Sequence, residues 1–198
     1  MAADTWVHRA ARLTVRPLAA TPVTPNQLTV LRLVTGLAAA WCFAFGSGAW
    51  GGSWFVLSAF LDRADGELAR LTGRYSRFGH QLDLIADVLV NVLAFIGIGY
   101  GLARAGLNPD GAWLGLLAGA SIALIFAVVG WLDSRGQQAV AGGGGFDPDD
   151  ALFIVGPLAW LGWLDGLLLA AAIGAPLFLV CMLLLAWRSL AAGAPRES

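Results

Sequence analysis

The sequence has little charge, almost no cysteine and no lysine. Charged residues make up 13% of its 198 residues and hydrophobic residues 58%, with a mean hydropathy of +0.73. A soluble domain carries about 25% charged residues, so this composition excludes an ordinary soluble domain and favours a membrane protein. All 12 basic residues are arginine, and the net charge of −1 gives no global indication of nucleic acid as a partner.

The two cysteines, Cys42 and Cys181, lie far apart in apolar segments. Their spacing fits neither a disulfide framework nor a zinc site, so we expect buried, inert thiols. The N-terminal segment has no uninterrupted apolar run, because Arg9, Arg12 and Arg16 divide it. We therefore do not expect a secretory signal there.

Length and hydropathy predict an all-α, polytopic membrane protein, because the chain can supply about six spans of ~20 residues across a ~30 Å hydrocarbon core. We expect one domain over 1–198, with an amphipathic interfacial helix at 5–20 and a six-helix bundle at 24–188. The spans are predicted at 27–46, from 54 into the arginine-rich connection at 70–77, 79–102, 112–132, 147–164 and 167–187.

Local signals refine these elements. In the N-terminal helix, His8, Arg9, Arg12 and Arg16 are predicted to face water and headgroups while the apolar residues face lipid. Thr24 and Pro25 are a capping residue and a helix-start proline, so they predict the start of the first span. The glycines at 111, 115 and 119 have the small-xxx-small spacing that lets helices approach closely, within the bundle or between two copies.

Four aspartates in two neighbouring spans are the main indication of function. Asp62 and Asp65 share one helix face, and Asp83 and Asp87 share a face of the next helix. One acid at the centre of a span costs roughly 2.5–3.5 kcal/mol, so four unpaired acids would cost on the order of 10 kcal/mol.

Hard divalent cations would offset that cost, because carboxylate oxygens are the ligands that Mg²⁺ and Mn²⁺ prefer. Two such ions about 3.5–4 Å apart can clamp the attacking and leaving oxygens of a phosphoryl displacement. Acids in a membrane also mark cation or proton pathways, and a salt-bridge network at the helix ends is the simplest structural alternative. Arg32, one turn inside the first span, has three possible environments: the interface, the acids or a phosphate.

The arginines predict the orientation. With six spans both termini lie on one side, and the opposite loops hold only Arg104. The arginines on the side of the termini are Arg9, Arg12, Arg16, Arg74, Arg77, Arg135, Arg188 and Arg196. The positive-inside rule then places the termini and the acidic cluster on the cytoplasmic side, and we expect an integral protein of a bacterial inner membrane.

The spacing of the acidic segment resembles a known family signature. It reads Asp62-x-x-Asp65-Gly66-x-x-Ala69-Arg70, eight residues, then Gly79-x-x-x-Asp83-x-x-x-Asp87. All eight fixed positions resemble those of the CDP-alcohol phosphatidyltransferase family, and the entry Thr24-Pro25-Asn26-x-x-Thr29 with Arg32 is also similar. The resemblance implies a six-helix membrane enzyme, usually a homodimer, with a polar cavity open to the cytoplasm. Such an enzyme moves a phosphatidyl or related group from a CDP-linked lipid to an alcohol and releases CMP.

The resemblance also implies residue roles. Asp62, Asp65 and Asp83 would hold two divalent ions, Mg²⁺ or Mn²⁺, and Asp87 would complete the metal site and take the proton of the acceptor hydroxyl. The residues implied for the CDP site are Gly66, Ala69, Arg70 and Gly79, bordered by Asn26 and Thr29. The candidates for binding the acceptor are Arg135, Arg188 and Arg32.

The motif leaves the acceptor open. A phosphorylated polyol such as glycerol 3-phosphate is favoured slightly, and the acidic segment 147–150 suits either ordinary helix capping or an amine-bearing acceptor such as serine. The expected partners are a CDP-linked lipid, the acceptor, membrane lipid and a second copy of the chain, with no nucleic acid. The alternative function is a divalent-cation or proton-coupled transporter that uses the aspartate cluster.

Overall fold

A computed structural model describes residues 6–135 and 152–192, and every regular element in these two ranges is helical. The helices are α1 (Trp6–Val15), a 3₁₀ helix (Arg16–Ala20), α2 (Pro25–Ala44), α3 (Gly48–Thr72), α4 (Arg77–Arg104), α5 (Gly111–Ser134), α6 (Val155–Trp160) and α7 (Leu164–Ala192). The all-α prediction is confirmed for the described part of the chain.

Four of these helices, α2, α4, α5 and α7, are long and apolar enough to cross a membrane. Helix α3 has 25 residues, which is sufficient length, but it carries the charged motif. Only residues 147–151 of the predicted fifth span fall outside the described residues, and its described part contains α6, which has 6 residues and is too short to cross a membrane. An integral membrane protein is thus supported, whereas the count of six spans stays a prediction.

Two predicted boundaries are wrong. Helix α3 begins at Gly48 instead of at 54, because the glycines that resemble a turn are helix contacts: a Cβ at Gly52 would lie 2.6 Å from the Cβ of Ala159 in α6. The chain reverses at Gly162, with φ +74°, so α7 already begins at Leu164 instead of at the predicted 167.

Short capping motifs join the two halves of the acidic segment. Helix α3 ends at Thr72, because the next residue, Gly73, has a left-handed φ of 66° that stops the helix. Helix α4 starts after Ser76, whose hydroxyl oxygen accepts a hydrogen bond from the N–H of Gly79 at 2.9 Å. The start of α2 matches its prediction, with Pro25 at the first position and the N–H of Thr24 donating to Gln27 Oε1 at 2.9 Å. Four residues thus connect the helices that carry the aspartates.

Helix α2 packs against both α3 and α4, and α4 packs against α5. The crossing of α4 and α5 requires glycine, since a Cβ at Gly115 would lie 2.7 Å from the carbonyl oxygen of Phe95. A Cβ at Gly111 would meet the carbonyl oxygen of Gly99 at the same distance. The predicted small-residue face therefore lies inside the bundle.

The outer surface of α7 is apolar, with Leu177, Phe178 and Leu185 all exposed, as expected of a helix in lipid. Cys181 is also exposed on this helix, so the prediction of a buried thiol is wrong there, and Cys42 is only partly buried. Both cysteines are free thiols.

Helix α1 forms within the predicted N-terminal segment, but its environment differs from the prediction. Val7, Ala11 and Val15 are buried, and α1 packs along α3. His8 is 6% exposed, so its predicted position in water is wrong. The physical reason is a buried acid on α3, Glu67, which binds it. Location of this helix at the membrane interface stays a prediction.

Candidate active site

The four aspartates converge, as their spacing predicts. One carboxylate oxygen from each of Asp62, Asp65 and Asp83 lies within 4.8 Å of the others. Helix α3 supplies the first two residues and α4 supplies the third, because the four-residue connection places the two motif faces opposite each other. Asp87 lies one turn further along α4, beside the cluster.

Arg32 of α2 binds the acids from the third side. It is 3% exposed, and its Nη1 lies 2.6 Å from Asp62 Oδ1 and 2.8 Å from Asp83 Oδ1. Its Nη2 donates to Asp87 Oδ1. Of the three environments that the sequence left open, the structure shows the acidic one. Its role toward an acceptor stays a prediction.

The donor set fits a hard divalent cation. Arg63 adds a second cation near the cluster, with its Nη1 3.7 Å from Asp62 Oδ2, and Thr29 donates to Asp65 Oδ2 at 2.6 Å. Two guanidinium groups do not neutralise four carboxylates, and oxygen ligands of this kind suit Mg²⁺ or Mn²⁺. Asp62, Asp65 and Asp83 can therefore offer one oxygen each to an ion. The carboxylate of Asp87 contacts Arg32, and its predicted ligation of metal is untested.

A cavity of about 740 Å³ adjoins the aspartates. Its size lies within the range of small-molecule sites, about 300–1,000 Å³. All six residues implied for the CDP site line this cavity, together with two of the aspartates: Asn26, Thr29, Gly66, Ala69, Arg70, Gly79, Asp65 and Asp83. The structure thus brings together residues from α2, α3 and α4 that the motif assigned to one ligand.

The two motif glycines have different surroundings. A Cβ at Gly66 would meet only the Arg70 guanidinium, at 3.6 Å, so glycine here leaves the cavity wall open. A Cβ at Gly79 would lie 2.9 Å from Ser76 Oγ and would collide with the side chain of Asn26. Gly79 is therefore needed for the close approach of α4 to the start of α2.

Several cavity residues were not identified from the sequence. They are Arg74, Tyr75, Ser76, Arg77 and His80. Arg74 and Arg77 lie inside the eight-residue spacer of the motif, and this position in the sequence indicates that they are close to the site. Arg74 and Arg77 add positive charge to the lining of the cavity, which suits a ligand that carries phosphate.

A second, smaller cavity of about 20 Å³ lies on the other side of the aspartates. It is lined by Arg32, Asp62 and Asp87, with Asn91 of α4 and Phe126 of α5 among its walls. Asn91 donates to the backbone oxygen of Asp87 at 2.9 Å, within its own helix. The acids therefore separate a large cavity from a small one.

Of the remaining predicted acceptor residues, Arg135 has a described side chain, and it contacts an aromatic ring of its own helix. Arg135 stacks over the ring of Trp131 at 4.1 Å from its centroid, at the end of α5. Arg188 belongs to α7, but its side chain lies outside the described part of the chain, as does the acidic segment 147–150.

The fold and site define a helical membrane protein with a carboxylate centre beside a large basic cavity. A family model for CDP-alcohol phosphatidyltransferases matches residues 22–188, and the chain belongs to that family.

Two curated relatives are similar over part of their length. An archaetidylinositol phosphate synthase of Pyrococcus horikoshii is 38% identical over 86 residues, which cover 43% of this chain and 46% of the relative. A CDP-diacylglycerol–glycerol-3-phosphate 3-phosphatidyltransferase of Cereibacter sphaeroides is 42% identical over 96 residues, which cover 46% of this chain and 40% of the relative. The chain thus spans less than half the length of these relatives.

A solved structure shares the fold. A phosphatidylinositol phosphate synthase of Mycobacterium tuberculosis, crystallised with CDP-DAG bound, superposes with a TM-score of 0.71 over 88% of this chain and 92% of that one. Its sequence identity of 22% shows the fold alone.

Proposed function

We propose that this protein is a phospholipid-synthesis enzyme that transfers a phosphatidyl group from CDP-diacylglycerol, or a similar CDP-linked lipid, to an alcohol and releases CMP. The observation that carries the proposal is the convergence of three carboxylates beside a 740 Å³ cavity lined by the family's motif residues. Membership of the family and the names of its relatives support the same reaction class.

The aspartates divide into two roles in this proposal. Asp62, Asp65 and Asp83 would hold Mg²⁺ or Mn²⁺, which when bound neutralises charge on the diphosphate and on departing CMP. Asp87 accepts the proton of the acceptor hydroxyl. The hydroxyl oxygen bonds to the phosphorus that carries the lipid, and the bond from that phosphorus to the oxygen of CMP breaks.

The position of Asp87 supports its role as general base. Its contact with Arg32 is made through Oδ1, and the residue borders the small cavity instead of the large one. Asp87 does not line the large cavity, so a nucleotide bound there would not have to displace its side chain. Ionic contact with Arg32 keeps the carboxylate oriented toward the cluster, which limits the reorganisation needed before proton transfer.

A phosphorylated polyol is the acceptor that we favour. Two relatives carry names that imply such an acceptor, an inositol phosphate and glycerol 3-phosphate. Arg135, Arg188 and Arg32 are the proposed cations for its phosphate. The proposal also includes a homodimer in a bacterial inner membrane, with the aspartates on the cytoplasmic side. The presence of Arg74 and Arg77 at the cavity supports that orientation, because arginines are enriched on the cytoplasmic side.

The proposed function is tested by incubating purified protein with CDP-diacylglycerol, Mn²⁺ and a panel of alcohols that includes glycerol 3-phosphate, inositol phosphate and serine. We expect CMP release that depends on one alcohol and on the metal, and loss of that release in Asp87→Asn. If no alcohol yields CMP while the protein in liposomes takes up divalent cation, the transferase proposal fails and the transporter alternative is favoured.

A further inference from the structure

Helix α3 carries a fifth acid, Glu67, that does not belong to the aspartate cluster. It lies inside the motif, between Gly66 and Ala69, and it is 2% exposed. A buried carboxylate must be paired to be tolerated, and Glu67 is hydrogen-bonded by side chains from α1 and from its own helix. The partners indicate what this acid does.

Helix α1 provides two of those partners. His8 Nδ1 lies 3.1 Å from Glu67 Oε1, and Arg12 Nε donates to Glu67 Oε2 at 2.9 Å. These residues are one helical turn apart on α1. Val15 extends the contact, because it packs in a cluster with Leu68 of α3. The acid therefore fixes α1 on α3 in a defined register.

The third partner is a residue of the large cavity. Arg70 Nη2 donates to Glu67 Oε1 at 3.0 Å and lies 3.4 Å from His8 Nδ1. The same nitrogen would be 3.6 Å from a Cβ at Gly66. The Arg70 guanidinium is thus turned back along α3 over Gly66. Its side chain is 48% exposed, so extended rotamers that reach into solvent are also accessible to it.

We propose that Glu67 is a positioning residue for Arg70, and that α1 forms part of the nucleotide site by holding Glu67 through His8 and Arg12. The proposal rests on the proposed function, since it needs a CDP moiety beside Arg70. The Arg70 side chain loses its conformational entropy during folding and not on binding, because the guanidinium is already in place when the nucleotide enters. An N-terminal helix that carries no motif residue thereby contributes to affinity for the CDP group.

The test measures CMP binding by titration calorimetry, together with kcat and KM for CDP-diacylglycerol, on full-length purified variants. Glu67→Gln keeps the size of the side chain and weakens the charge-assisted bonds. We expect it to raise both the Kd for CMP and the KM by roughly 3- to 10-fold, with kcat changed less than about twofold. Arg12→Gln should raise the same constants by a smaller factor, roughly two- to threefold.

Two controls separate positioning from general damage. Arg9→Gln removes an exposed arginine from the same helix and should leave the constants unchanged. In the Arg70→Gln background, Glu67→Gln should have no further effect on the Kd, because Glu67 acts through Arg70. A merely structural role would instead lower the active fraction, and hence kcat, at constant KM. If Glu67→Gln does not fold, the positioning role is tested by comparing the Kd for CMP of Arg12→Gln with that of Arg9→Gln.

The outcomes for the two proposals differ. CMP binding that is unchanged in Glu67→Gln and Arg12→Gln, or that weakens equally with and without Arg70, overturns the positioning role even if transfer is intact. CMP binding without transfer to any alcohol refutes the proposed function alone, and the Kd values still decide the role of Glu67. No CMP binding by the wild-type protein overturns both.

Discussion

Replacing Arg32 with glutamine should destabilise the metal-depleted protein strongly. The guanidinium is 3% exposed and contacts three of the four aspartates. Removing one partner of a buried ion pair costs about 3–5 kcal/mol, because it leaves uncompensated charge. The side chains of Asp62 and Asp83 are 23% and 40% exposed, which permits partial hydration, so we expect about 3 kcal/mol.

The assay is the apparent melting temperature in detergent, with EDTA and with Mn²⁺. A loss of 3 kcal/mol corresponds to a fall of roughly 6–12 °C for a protein of this size. Mn²⁺ should restore more stability to Arg32→Gln than it adds to the wild type, since the ion then replaces the missing positive charge. An ion at 100 times its Kd contributes about 2.7 kcal/mol.

Arg104→Gln is the matched control. Arg104 lies at the far end of α4 and its guanidinium is 5.1 Å from the centroid of Phe45, a contact worth about 0.5–1 kcal/mol at an exposed site. We expect a fall of less than about 4 °C, equal in EDTA and in Mn²⁺. If Arg32→Gln melts in EDTA like the wild type, Arg32 is not the counter-ion of the cluster and the reasoning is refuted.

Three further predictions concern single contacts. Asp87→Asn should abolish CMP release while the folded protein still binds CDP-diacylglycerol; normal turnover would remove Asp87 from the role of base. Thr29→Val loses the 2.6 Å hydrogen bond to Asp65 and should weaken Mn²⁺ binding about 3- to 10-fold by calorimetry, and an unchanged affinity would contradict it. Gly115→Ala should lower stability by about 1–3 kcal/mol in thermal melts, because its Cβ would lie 2.7 Å from a backbone oxygen. The control is Gly174→Ala on α7, where the added Cβ would meet no atom within 4 Å, so this change should not lower stability. Equal melting temperatures of the two variants would argue against tight packing of α4 on α5.

The sequence predicted the parts of the site that depend on helical periodicity. Acids spaced by three and four residues share a face in any regular helix, so the cluster of Asp62, Asp65 and Asp83 needs only a short connection between two helices. The capping signals at Thr24 and the four apolar helices long enough to span a membrane were predicted for the same reason, since these signals are local. Agreement is good wherever neighbours in sequence decide the structure.

The errors arise where distant residues decide. The glycines that begin α3 resemble a turn locally, but Gly52 is there because α6 crosses at that point. His8 and Arg12 look like the polar face of an interfacial helix, yet their partner is an acid more than fifty residues away. Helical periodicity identifies a polar face, but it does not determine whether that face contacts water or a buried carboxylate.

Helix α3 presents two faces of opposite electrostatic character. On the side of α2 and α4, four aspartates meet the two arginines described above, and the excess of negative charge favours a divalent cation. On the side of α1, Glu67 meets His8, Arg12 and Arg70, and the cationic groups prevail. The large cavity borders both, through Asp65 and Arg70. A ligand that suits this cavity binds a divalent cation on the side of the aspartates and carries negative charge toward Arg70. A diphosphate has both properties.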